Sequence, residues 1–177
     1  IISQELCIMI YKSLLQEQFQ NFCVNRQLTY DILAQLSEGD LLQKWSRPGL
    51  DSFSKHFQEV ASVQNAFSEA MITGEMDFSK VPGVFEFQNS GDKTALREAL
   101  NIADKKLGNI IKDCNVKSIK WDDIEVTPVT HLVNLTSHEV FHQGQMAMAI
   151  YSLDLLMPKS WLFNWAMPGT TNQMETV

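Results

Sequence analysis

The stretch Thr127-Pro128-Val129-Thr130-His131-Leu132-Val133-Asn134-Leu135-Thr136-Ser137-His138-Glu139-Val140-Phe141-His142 opens on a helix-start signal and meets no further proline until Pro158. The threonine hydroxyl can accept a backbone N–H at the open end of a helix. Proline at the next position loses no bond, because its missing N–H would have had no helical partner. The pattern predicts a helix from there to about Leu156, stopped by Pro158. His138 and His142 are four residues apart, an advance of about 6 Å and about 400 degrees, so both imidazoles leave from one face and can meet one ion.

Upstream, the same helical spacing recurs three times. Ser90 or Asp92 starts a run through Ala95, Leu96, Leu100, Ala103, Leu107, Ile110 and Ile111 that ends near Cys114. Asp51 or Ser52 caps a run whose stripe is Phe53, His56, Phe57, Val60, Val63 and Phe67, which puts His56 on an apolar face. Leu14, Phe19, Phe22, Ile32, Leu33 and Leu36 mark a first long helix across about residues 9 to 36. Ser37-Glu38-Gly39-Asp40 and Arg47-Pro48-Gly49 interrupt the pattern between the first two helices.

From about residue 73 to 91 the chain carries Gly74, Phe78, Pro82, Gly83, Phe85 and Phe87 without a sustained period, a connection long enough to cross a domain or cover a site. Trp121, Asp122 and Asp123 fall in a short polar stretch before Thr127, and Trp161, Phe163 and Trp165 make an apolar patch after the last helix. Four long helical patterns with no convincing strand between them predict an all-α four-helix bundle, one domain over residues 1–177.

Composition narrows the function classes. Lys and Arg number 14 against 21 Asp and Glu, and no stretch gathers the positive charge, which argues against nucleic acid as a partner. No run of 18 apolar residues is present, so no membrane span is expected. The opening Ile1-Ile2-Ser3-Gln4-Glu5 has no basic region before a long apolar run, so no signal peptide is expected. Cys7, Cys23 and Cys114 are odd in number and far apart, which favours a reducing, cytoplasmic setting over a disulfide framework.

Two neutral imidazoles favour a borderline ion such as zinc or nickel over magnesium or calcium. They leave the ion short of ligands. The chain has four histidines, and His56, on the inward stripe of another helix, is the natural third. A set of His56, His138 and His142 keeps a position for water or substrate, as catalytic metals do. His131 lies roughly 10 Å before His138 along the axis and is assigned to packing. Met146, Met148 and Met157 read as core or interface filler. Gly144, inside a helix, predicts close approach of a neighbouring helix.

His138-Glu139-x-x-His142 is also the pattern of zinc proteases, in which the glutamate is general base. Such an enzyme needs a further ligand downstream. No histidine follows His142, and the later acidic residues are Asp154 and Glu175. Glu139 points about 100 degrees away from its neighbour His138, to orient another group or to face solvent.

Ser54-Lys55-His56 in the second helical stripe, His138-Glu139-x-x-His142-x-Gly144-Gln145 in the last, and the long connection between helices two and three together resemble the DinB-like family of metal-binding bundles, which includes bacillithiol transferases. The resemblance spans about residues 9 to 157. It implies helices arranged up-down-down-up, an ion in a pocket at one end, and pairing as a homodimer. The family commonly carries a histidine directly before the last ligand and an arginine directly after it, where this chain has Phe141 and Gln143.

Two functional classes follow. In one, an enzyme uses the ion held by His56, His138 and His142 to activate a low-molecular-weight thiol or water against a small-molecule substrate, with Glu139 and Gln145 as catalytic candidates. In the other, the bundle binds metal without catalysis, for stability or as a stress-linked module.

Overall fold

The computed structural model describes residues 4–81 and 87–170, the side chains of residues 4–8 excepted. Pro82, Gly83 and Phe85 of the long connection, Glu175, and the Cys7 side chain lie outside what is described. The fold is predominantly α-helical. Four long helices, α1 (Gln4–Gln35), α3 (Phe53–Thr73), α4 (Lys93–Asp113) and α5 (Pro128–Ser152), build the core, with short helices α2 (Glu38–Leu42) and α6 (Lys159–Asn164) beside them. Helix α3 packs most extensively on α4 and α1 on α5, and α3 also meets α5 and α1 meets α4. No described helix is long and apolar enough to cross a membrane.

The helix starts follow from local chemistry. Thr127 accepts from the Thr130 N–H at 3.2 Å with Pro128 at the first turn, and Asp92 accepts from the Ala95 N–H at 2.9 Å. Ser52 occupies the cap position of α3, but its hydroxyl donates to Asn89 Oδ1 at 2.5 Å instead of capping the helix. The α3 stripe Phe53, His56, Phe57, Val60, Val63 and Phe67 is buried throughout. On α1 the core takes Leu15, Phe22, Ile32 and Leu33, with Leu36 just past its end, whereas Leu14 is exposed. Leu15 and Phe22 share a face seven residues apart, and Phe19, four residues after Leu15, packs partly buried against the same cluster.

Three expectations need correction. Ser37 to Asp40 does not merely break the chain: Ser37 and Asp40 form a reciprocal capping box that starts α2. The stretch before Thr127 holds an antiparallel hairpin, β1 (Ile119–Trp121) and β2 (Ile124–Val126), turned at Asp122, whose φ is 51°. Strands of three residues are too short to display alternation. Helix α5 ends at Ser152, not near Leu156, because the chain turns through Asp154 at positive φ, and Pro158 then begins α6.

The buried apolar side chains form two clusters. One contains Leu28, Ile32, Phe53, Phe57, Val60, Leu100, Met146 and Trp161. The other contains Leu15, Phe22, Val63, Phe67, Leu107, Leu132 and Leu135. On α1 the clusters change over at Arg26, on α4 at Asp104, and on α5 between Leu135 and Met146. That last gap is where His138, Glu139, His142 and Gln143 sit. A polar layer therefore crosses the middle of the core.

Candidate metal centre

Helix α3 brings His56 and Glu59 to the site, one turn apart, and α5 brings His138 and His142, also one turn apart. His56 and His142 are 0% and 2% exposed, because the flanking Phe57, Val60 and Met146 bind their turns into the core. His142 sits at the centre. Its Nε2 lies 3.1 Å from His138 Nε2 and 3.8 Å from Glu59 Oε2. Its Nδ1 lies 3.0 Å from His56 Nδ1, with the two rings 5.1 Å apart.

One ligand atom from each of Glu59, His138 and His142 falls within 4.8 Å of the others. Two ligand atoms about 2.1 Å from an ion stand about 3.4 Å apart in a tetrahedron and about 3.0 Å apart at adjacent octahedral corners. The His138–His142 spacing fits that range, and Glu59 Oε2, 3.8 Å from His142 Nε2, stands somewhat beyond it. Glu59 Oε2 is moreover buried and accepts no hydrogen bond. A buried acceptor left unpaired is costly, and a cation is the partner that would satisfy it. His56 takes a different place, on the far side of the His142 ring, and its Nε2 reaches the Leu50 carbonyl at 3.3 Å.

The other residues singled out from the sequence are engaged elsewhere. Glu139, 1% exposed, pairs with Arg26 Nη2 at 3.1 Å and accepts from the Thr29 hydroxyl, so its carboxylate is committed to α1 and not to solvent. Gln145 accepts from Arg47. Gln143 donates to the Asn25 carbonyl at 2.7 Å and to Thr29 Oγ1 at 3.0 Å, facing α1, while Phe141 is exposed. His131 is buried against Phe67, with Nε2 3.1 Å from the Phe67 carbonyl. Met146 and Met157 are core residues and Met148 is exposed. Gly144 meets no neighbouring helix, since a Cβ built there has nothing within 4 Å, and it opens instead onto a groove of about 370 Å³ lined by Trp161, Trp165 and Met167.

Two residues of the site escaped the sequence reading. Glu59 could have been found, since His56-x-x-Glu59 sets a carboxylate on the face of the histidine one turn on. Arg47, whose Nη1 lies 3.4 Å from His56 Nε2, comes from the loop before α3, and no local signal foretells where a loop side chain lands.

Burial keeps these rings neutral. Desolvation, aided by the Arg47 charge, lowers His56 to a pKa of about 4, and desolvation with the Arg26 charge lowers His138 to about 4. His142 falls further, by desolvation and by its two histidine neighbours. Burial raises Glu59, against the pull of Arg47. An unfolded histidine takes up its proton near pH 6.5, which the folded rings refuse, so below that pH the unfolded chain binds more protons and stability falls. Denaturant unfolding of metal-free protein should show full stability above pH 6.5 and progressive loss towards pH 4. The slope should be shallower in His142→Ala, which shares the opposing contribution of Glu59. Equal slopes in the two proteins would contradict this account.

No family model matches the chain, and no curated protein matches it at a significant level. A helical domain with a buried Glu/His cluster suited to a metal ion is what the fold and the site define.

Proposed function

We propose that this bundle binds one divalent transition-metal ion, zinc or nickel, through His138 Nε2, His142 Nε2 and the Glu59 carboxylate. The observation that carries the reading is the convergence of those three groups, with Glu59 Oε2 buried and unpaired. His56 orients the centre. A His142 that binds through Nε2 carries its proton on Nδ1 and donates it to His56 Nδ1. His56 in turn carries its proton on Nε2 and donates it to the Leu50 carbonyl. The alternative set of His56, His138 and His142 is favoured by the 3.0 Å Nδ1–Nδ1 approach, and requires the His142 ring to turn.

Three protein ligands leave a coordination position open. An ion held in this way lowers the pKa of a bound water or thiol and supplies a nucleophile at neutral pH. The resemblance to DinB-like bundles favours a thiol transfer or a hydrolysis acting on small molecules. A purely metal-binding module remains the second class, and a screen of thiol cofactors with model electrophiles separates the two.

The experiment that tests the site is zinc affinity by competition with a chromophoric chelator, on untagged protein. Glu59→Gln should weaken binding by about 100-fold, as loss of a direct ligand. His56→Ala should weaken it by roughly 10- to 100-fold, as loss of an orienting partner. Wild-type affinity in Glu59→Gln, together with a loss in His56→Ala as deep as any ligand deletion, assigns the third ligand to His56 instead.

A further inference from the structure

Helix α5 has a second distinctive face. His138 and His142 meet α3, whereas Val140, Gly144, Ala147 and Tyr151 lie on average roughly 170 degrees round the helix from His142. These four form one wall of the groove of about 370 Å³. Trp161, Trp165 and Met167, from α6 and the chain after it, form the other. That second wall is held in place. The Trp161 indole N–H donates to the Leu28 carbonyl at 3.0 Å, Ala166 turns the chain at φ 49°, and the Tyr151 hydroxyl donates to the Pro168 carbonyl at 2.6 Å.

Two features distinguish the groove from a packing gap. Glycine inside a helix costs stability, and at position 144 no close contact demands it, since a Cβ there meets nothing within 4 Å. What a side chain would take up is the groove itself. Gln143, 2% exposed, lines the same groove. Both of its amide N–H bonds go to α1, at the Asn25 carbonyl and Thr29 Oγ1, while its Oε1 is buried and accepts no hydrogen bond among the described residues. A buried acceptor without a donor is costly, and with its donors spent the amide can be satisfied only by a group that gives it a proton to share.

The walls define what fits. No charged side chain lines the groove among the described residues, so an ion entering it would lose its water without gaining a partner. Two indole rings favour a flat aromatic body, and the volume suits a small one- or two-ring molecule. We propose that the groove between α5 and α6 is a binding site, separate from the metal centre, for a small neutral aromatic molecule that donates one N–H or O–H hydrogen bond to Gln143 Oε1. Gly144 keeps the groove open, and Gln143 selects donors over molecules of the same shape that have none.

The test titrates full-length, metal-free, isotope-labelled protein with indole and with benzofuran, which share a shape and differ in the N–H, and follows the amide and indole N–H signals by NMR. Indole should bind saturably, shift the signals of Gly144 and Trp165, and bind about tenfold more tightly than benzofuran. Gly144→Leu should fill the groove and abolish binding while raising the melting temperature, which separates a blocked site from a misfolded one. Gln143→Met should bind the two probes alike. Should that variant fail to fold, the wild-type comparison and Gly144→Leu decide. No saturable binding in wild type, equal affinity of wild type for the two probes, undiminished binding in Gly144→Leu, or a preference for indole that survives in folded Gln143→Met each overturns the inference and leaves the metal reading intact. A wild-type dimer that Gly144→Leu dissociates, seen by light scattering, assigns the groove to a second copy of the chain and overturns it as well.

Discussion

Replacing His142 with alanine is expected to abolish stoichiometric metal binding, with a loss of about 3 to 4 kcal/mol, roughly 100- to 1000-fold in affinity. No other side chain of the centre touches all the rest. One ring nitrogen faces His138 at 3.1 Å and Glu59 at 3.8 Å, and the other faces His56 at 3.0 Å. Without that ring, neither proposed ligand set has a common centre. The variant should nevertheless fold, since Phe57, Val60 and Met146 around it are packed independently of the imidazole. The helical circular dichroism should persist while dialysis against zinc leaves the protein empty. His131→Ala is the matched control. That histidine bonds the Phe67 carbonyl and stacks on the Phe67 ring at 4.4 Å, so its removal should lower stability by about 1 to 3 kcal/mol and leave metal content unchanged. Retention of one equivalent of zinc by His142→Ala sinks the metal assignment.

The helices were legible because their signals are local. The period that places Phe53, Phe57, Val60, Val63 and Phe67 on one side of α3 is a property of the helix itself, and caps such as Thr127 and Asp92 act within one turn. The same locality sets the limits. Pro158 reads as a stop for α5, but the chain leaves the helix after Ser152, and the proline starts the next element. The sequence fixes that Glu139 lies about 100 degrees round the helix from His138. Whether that direction meets solvent or another helix depends on which neighbour packs there, and it is α1 with Arg26. The pairing of His138 with His142 could be read within one helix. Glu59 and Arg47 join them only through the docking of α3 on α5 and the closure of a loop, relations between segments that no single stretch encodes.

The role of Glu139 can be decided by stability before activity is measured. Arg26, 2% exposed, donates to Gln64 Oε1 at 2.6 Å, pairs with Glu139 at 3.1 Å and approaches Asp104 at 3.7 Å. Gln64 donates on to Asp104 at 3.0 Å, so the layer ties α1, α3, α4 and α5 across the gap between the two apolar clusters. Arg26→Met removes the cation and strands a buried carboxylate, which should lower unfolding stability by about 3 to 5 kcal/mol. Adding Glu139→Leu should recover most of that loss, because it removes the fully buried carboxylate, while Asp104 is partly exposed and still accepts from Gln64 and Tyr30. The interaction energy from this double-mutant cycle is therefore expected to be large and favourable. A general base serving the ion makes the opposite forecast: Glu139→Leu alone would spare stability and cost only turnover. An Arg26→Met variant within about 1 kcal/mol of wild type would break the structural account and return Glu139 to the catalytic candidates. A deep loss rescued by the second substitution instead fixes Glu139 as the anchor that locks the turn bearing His138 and His142 against α1.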